Sequence, residues 1–162
     1  MAVASSNKAT VTLPAENQIL ITREFDAPKD LVFKASTTPE LIKRWWGGDR
    51  GVCTLTEVDL RVGGRWRYVM TANEGFEVAF HGEYREIVPA GRTVTTECFE
   101  GAPDAGCAVT TTTFAEQDGR TTLTILSEYP SREVRDMVIA SGMEGGMQES
   151  MDKLEQVAQS LR

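Results

Sequence analysis

The chain has 162 residues, enough for one domain around a single core. Its 24 acidic residues outnumber 17 basic ones, for a formal net charge of −7. That balance argues against a nucleic-acid surface, because neutralising phosphates needs clustered Lys and Arg. No stretch approaches the ~20 apolar residues of a membrane span, and Met1 to Thr10 lacks the apolar run of a signal peptide.

Residues 1–15 read as a mobile polar lead-in, and residues 16–162 as one domain. Cys53, Cys98 and Cys107 are odd in number and widely spaced, which fits neither a disulfide framework nor a zinc site. They are expected to be three buried, reduced thiols of a cytoplasmic protein.

The elements follow in order. Asn17 to Phe25 alternates as a strand, with Ile19, Ile21, Arg23 and Phe25 on one side. Pro28 followed by Asp30 starts a short helix, and Thr38-Pro39-Glu40 starts a second with Thr38 as N-cap. Gly47-Gly48 ends it. Strands are then predicted at Val52–Leu60, Arg65–Ala72, Phe76–Val88, Thr93–Phe99, Cys107–Glu116 and Thr121–Tyr129, separated by Gly, Pro, Asn and Asp turns. Short turns between successive strands imply an antiparallel meander. Pro130 stops the last strand, and Ser131 caps one long helix running to Arg162. Its apolar stripe is Ala140, Met143, Met147, Met151, Leu154, Ala158 and Leu161, and its polar face carries Glu144, Gln148, Glu155, Gln156 and Gln159. A single apolar stripe of that length must lie on the sheet.

Several short motifs occur in a familiar order. They are Arg23-Glu24-Phe25-Asp26-Ala27-Pro28, Leu31-Val32-Phe33, Pro39-Glu40-Leu41 with Trp45-Trp46, and Asp59-Leu60-Arg61-Val62-Gly63-Gly64 before Trp66. Gly82-Glu83-Tyr84-Arg85-Glu86-Ile87 and Gly142-Met143-Glu144-Gly145-Gly146 complete the set. From about Glu16 to the C-terminus the chain resembles the SRPBCC, or START-like, superfamily. Within it, the chain is similar to the branch named for activators of the ninety-kilodalton heat-shock chaperone's ATPase. The resemblance implies an α+β helix-grip fold, like that of birch-pollen allergens: a curved antiparallel sheet around a long C-terminal helix, with two short helices after the first strand. It also implies a pocket between sheet and helix, and a link to chaperones and stress response. The Asn-rich stretch ending in Trp-His-Trp that accompanies chaperone stimulation has no counterpart in these residues.

The candidate ligand-binding residues follow from two patterns. Trp66, Tyr68 and Met70 alternate along one strand, and Phe76, Phe80 and Tyr84 along the next. Trp45 joins them from the second helix. Met143, Met147 and Met151 face them from the last helix, since flexible thioethers suit irregular apolar shapes. Ordinary core filling is the alternative for both stripes. Gly142, Gly145 and Gly146 point to close approach of a strand or ligand, a kink, or a break. Trp46, beside the glycines, suits a rim position.

His81, the only histidine, reads as a solvent-facing or hydrogen-bonded strand residue. Arg61, Arg65 and Arg67 read as surface salt-bridge partners or as guards of a pocket mouth. No catalytic triad, metal ligand set or cofactor motif is found. The expected function is therefore non-enzymatic binding of a small hydrophobic, lipid- or polyketide-like molecule. The alternatives are a module that binds a chaperone, another protein or a second copy of itself, and a cyclase or hydrolase using His81, Tyr84 or Glu83.

Overall fold

A computed structural model describes residues 8–162. The strands are β1 (Thr10–Thr12), β2 (Gln18–Phe25), β3 (Gly51–Val58), β4 (Arg65–Ala72), β5 (Glu77–Val88), β6 (Arg92–Phe99), β7 (Cys107–Gln117) and β8 (Arg120–Glu128). The helices are α1 (Lys29–Thr37), α2 (Pro39–Ile42), α3 (Arg132–Ala140) and α4 (Met143–Ser160). All eight strands form one antiparallel sheet in the order β1-β2-β8-β7-β6-β5-β4-β3. This is the helix-grip architecture: a meander from β3 to β8 that returns to β2, with the helices on one face.

Local chemistry explains most of the boundaries. Asp118 and Gly119 both take positive φ, 54° and 76°, the pair of conformations that a two-residue hairpin between β7 and β8 requires. The Ser131 hydroxyl accepts a hydrogen bond from the Val134 amide at 3.2 Å and caps α3. Thr38 holds the cap position of α2 but makes no side-chain cap bond, so Pro39 alone sets that start.

The structure departs from the sequence reading at several places, and at Gly142 it settles on the break among the alternatives weighed there. Residues 10–12, within the stretch expected as lead-in, form β1 against β2, and the Gln148 side chain holds Ala9 through its amide and its carbonyl. Residues 1–7 of that stretch lie outside the described residues. The final helix is two helices, because Gly142 takes φ +80° and α4 starts afresh after it. Cys98 and Cys107 are not reduced thiols but a disulfide: they are cross-strand partners on β6 and β7 with Cα atoms 4.4 Å apart. Only Cys53 is free. Finally, Glu155 is buried rather than on the polar face of its helix.

The core occupies one half of the sheet. Ile19, Ile21, Phe25, Phe114 and Leu123 from β2, β7 and β8 meet Val32 and Ala35 of α1. Met151, Leu154, Val157 and Ala158 of α4 close over them. Arg23 lies inside this core. Its guanidinium reaches Asp152 at 3.0 Å and Glu155 at 3.4 Å, and sits 4.7 Å from the Phe25 ring centre. The other Glu155 oxygen accepts a 2.8 Å bond from the Asp26 amide. The clamp between β2 and α4 is thus both apolar and ionic.

Candidate functional site

The other half of the sheet, β3 to β6, presents a different surface to the helices. Register fixes which side chains share it: Tyr68 is opposite Phe80, and Phe80 opposite Phe99. Trp66 is opposite Gly82, and Tyr84 opposite Thr95. These residues lie on the face that carries Ile19, Ser127 and Thr110 across β2, β8 and β7. The β5 bulge falls between Tyr84 and Glu86, beyond the aromatic set, so the predicted faces of Trp66, Tyr68, Met70, Phe80 and Tyr84 are kept. Phe76 is not among them; it sits in the turn before β5 and is exposed.

The aromatic rings form a chain. Trp66 is 4.7 Å from Tyr68, and Phe80 is 5.0 Å from Phe99. Trp46 stands edge-on to both Tyr68, at 5.6 Å, and Phe80, at 5.9 Å. Trp46 therefore covers this surface, while Trp45 turns away from it. Trp45 packs on the core and donates its indole N–H to the Ala35 carbonyl at 2.9 Å. The neighbour of the predicted tryptophan holds the place expected of it. Their adjacency on a helical turn was the available signal, since successive residues point about 100° apart.

The predicted methionines divide. Met151 is fully in the core, whereas Met143 and Met147 are half-buried at its margin. Trp66, Met70 and Tyr84 are buried; Tyr68 and Phe80 keep part of their surface accessible. The Tyr68 and Tyr84 hydroxyls lie near enough to influence each other's ionisation. Burial pushes the Tyr68 hydroxyl well above its ordinary range and that of Tyr84 up to about 12. Both phenols stay neutral donors at any ordinary pH.

Sequence reasoning missed Glu97. The strand pairing puts it on this same inner face, opposite Ala108. Desolvation pushes its carboxyl above the usual carboxylate range, yet the side chain is only half-buried. Its two neighbours in alternation, Thr95 and Phe99, were readable as a strand face, but the absolute direction of that face was not.

The outer face of the same strands carries the charged residues. Arg67 makes two bonds to Glu100, at 2.8 and 2.9 Å, and His81 Nδ1 lies 2.9 Å from the same carboxylate. This network, led by the Arg67 bond, holds the Glu100 carboxyl down at about 2. Arg61 pairs with Asp59 at 2.8 Å. An open groove of about 530 Å³ runs between Glu57, Arg65, Arg67, His81 and Glu100. Val58, Trp66 and Gly82 line it as well, and among its polar groups Arg67, His81 and Glu100 already bond one another. It offers a ligand less than the aromatic face does.

Comparison with known proteins agrees with the fold. The family described as "Activator of Hsp90 ATPase homolog 1-like protein" matches residues 26–159. A crystal structure of a Rhodobacter sphaeroides protein superposes with a TM-score of 0.86 at 24% identity, covering 94% of this chain and 99% of the other. One from Chromobacterium violaceum does so with a TM-score of 0.75 at 30% identity, covering 87% and 96%. A Mycobacterium smegmatis structure gives 0.83 at 26%, covering 92% and 96%. No curated protein matches the chain.

Proposed function

Because the chain belongs to the family of Activator of Hsp90 ATPase homolog 1-like proteins, and that fold sets a curved sheet against a long helix, we propose that it binds a small, largely apolar molecule on the inner face of β3 to β6. The observation that carries this reading is the aromatic chain from Trp66 through Tyr68 to Phe80, capped by Trp46, with Tyr68 and Phe80 left partly accessible under the helices. A protein without a use for that surface gains by packing it, at ~25 cal/mol per Å² of apolar area removed from water. The residues assigned to the site are Trp66, Tyr68, Met70, Phe80 and Tyr84 of the sheet, Trp46 of the cover, and Met143 and Met147 of α4. No catalytic role is assigned.

The neutral fluorescent dye Nile red tests this. It is expected to bind one-to-one with a blue-shifted emission. Met147→Trp, which fills the helix side of the site, should abolish the signal, and Met137→Trp on the exposed face of α3 should leave it intact. No binding to the unaltered protein, or equal binding to both variants, removes the reading.

A second reading, a docking module for another protein or a second copy of the chain, has one observation in its favour. β3 is an end strand of the sheet, and Val52 on it is largely exposed. Light scattering across a range of concentrations checks the self-association half of this; a constant monomer mass rejects it. The compartment is tied to the Cys98–Cys107 bridge, since such bonds persist in oxidising surroundings and are rare in a reducing cytoplasm. Among the described residues, no helix is long and apolar enough to cross a membrane.

A further inference from the structure

Glu97 is the one charged side chain among the described residues on the inner face of β3 to β6, which is otherwise aromatic, aliphatic, Met, Thr, Cys, Ala or Gly; on β7 that face carries Glu116 at its far end, where the carboxylate accepts a 2.9 Å bond from the Lys29 amide. Its surroundings are set by a cross-strand row. Glu97 is paired with Ala108 on β7. On β5, the pairing of His81 with Cys98 and of Tyr84 with Thr95 places Gly82 opposite Glu97, and Trp66 is opposite Gly82. The carboxylate thus stands between two residues with almost no side chain. The glycine is required: a Cβ at Gly82 would collide with the Thr96 carbonyl and come within 2.6 Å of the Trp66 indole nitrogen. The indole itself is fixed by a 3.2 Å bond from its N–H to the Thr96 carbonyl.

Tyr68 and Tyr129 lie close enough for their hydroxyls to feel the Glu97 charge. Among the described residues, nothing forms a hydrogen bond or ion pair with the Glu97 carboxylate, and no Lys or Arg shares its face on these strands. A half-buried carboxylate without a partner is unfavourable by itself. It becomes favourable when a cation enters with the ligand and supplies a charge-assisted hydrogen bond. Aromatic faces beside it attract the same kind of group.

We propose that the ligand of this site is an organic amine, an apolar body bearing one protonated nitrogen, and that Glu97 is the residue that selects it. This rests on the apolar-site reading above and adds the head group to it. Anionic lipids such as free fatty acids are the class it excludes, since their carboxylate would meet Glu97 with no neutralising side chain on the surrounding face.

Three probes of one shape and different head group separate the two claims: phenylbutylamine, phenylbutanol and phenylbutyrate, each titrated calorimetrically into the full chain. The amine is expected to bind about tenfold or more tighter than the alcohol, the increment of one charge-assisted bond, and the acid weakest. Glu97→Gln should lose the preference for the amine while keeping affinity for the alcohol. Equal binding of amine and alcohol, or a preference unchanged in Glu97→Gln, overturns the head-group assignment and leaves the apolar site standing. Failure of all three to bind overturns both. A measurement on the unaltered protein covers the case of a variant that does not fold: the Glu97 carboxyl carbon resonance must shift on adding phenylbutylamine, and a resonance that stays put overturns the proposal.

Discussion

Arg23 of β2 and Glu155 of α4 face each other inside the core, 3.4 Å apart and both almost wholly shielded from solvent. Desolvation lowers the Arg23 pKa, opposed by the charges of Glu155 and Asp152. Removing one partner leaves the other charge buried. Glu155→Ala is therefore expected to destabilise the fold by about 3–5 kcal/mol in urea unfolding. Replacing both, Arg23→Met with Glu155→Leu, should recover most of that loss. A single-variant loss below about 1 kcal/mol would show that solvent reaches the pair.

The Cys98–Cys107 bridge closes a short loop, with a sequence separation of 9. Chain-entropy reasoning gives it about 2–3 kcal/mol, which for a domain of this size is about 5–10 °C in Tm. Calorimetry with and without dithiothreitol should show that drop, and Cys98→Ser with Cys107→Ser should melt at the lower temperature with no response to reductant. Thiol titration of the native protein should find Cys53 alone. Three reactive thiols would mean that the two strands carry reduced cysteines side by side.

Burial holds the hydroxyls of Tyr84 and Tyr129 at about 12, above the ordinary 10.0, with Glu97 adding to the effect at Tyr129. The folded protein keeps these protons longer than the unfolded chain does. Their stabilisation is therefore complete below about pH 10 and is lost as the pH rises through about 12. Denaturant midpoints should fall over that window, and Tyr84→Phe should flatten the fall. An unchanged alkaline limb in Tyr84→Phe would show that the hydroxyl ionises in the native state as easily as in water.

The glycines of the last helices are predicted to behave oppositely. Gly142 has open space around it but a φ of +80°, so Gly142→Ala should cost about 1–2 kcal/mol from backbone conformation alone. Gly146 lies inside α4 with only the Arg50 side chain near, 4.0 Å from where a Cβ would stand. Gly146→Ala should therefore stabilise by up to about 1 kcal/mol. Urea unfolding of the two variants distinguishes a conformational requirement from a helix-propensity defect.

The elements that were legible in the sequence were those whose signals are local. Arg65 to Ala72 was bounded correctly at both ends because glycines precede it and a turn follows. Ser131 was readable as a cap from its own chemistry. Arg23 was placed on the face of Ile19, Ile21 and Phe25 by alternation, but nothing near it names its partner, which is 132 residues away. Glu155 was set on the polar face because helical periodicity ranks a carboxylate as exposed until a buried cation is known. The Cys98–Cys107 bridge was missed for a related reason: spacing along the chain says little about which residues become cross-strand neighbours. Glu97 was hidden by its neighbours, since Thr95 and Phe99 do not mark which side of a strand meets the helix.

The clamp on α4 is lopsided. Met151, Leu154, Glu155, Val157 and Ala158 are buried, whereas Met143 and Met147 are half-covered and Gly145 is exposed. The helix is thus buried most deeply along its C-terminal half, while its first half is held at the margin of the core by polar ties, Gln148 to Ala9 and Glu149 to Arg50. Its backbone amides should exchange with deuterium in a gradient, fastest near Met143 and slowest near Ala158.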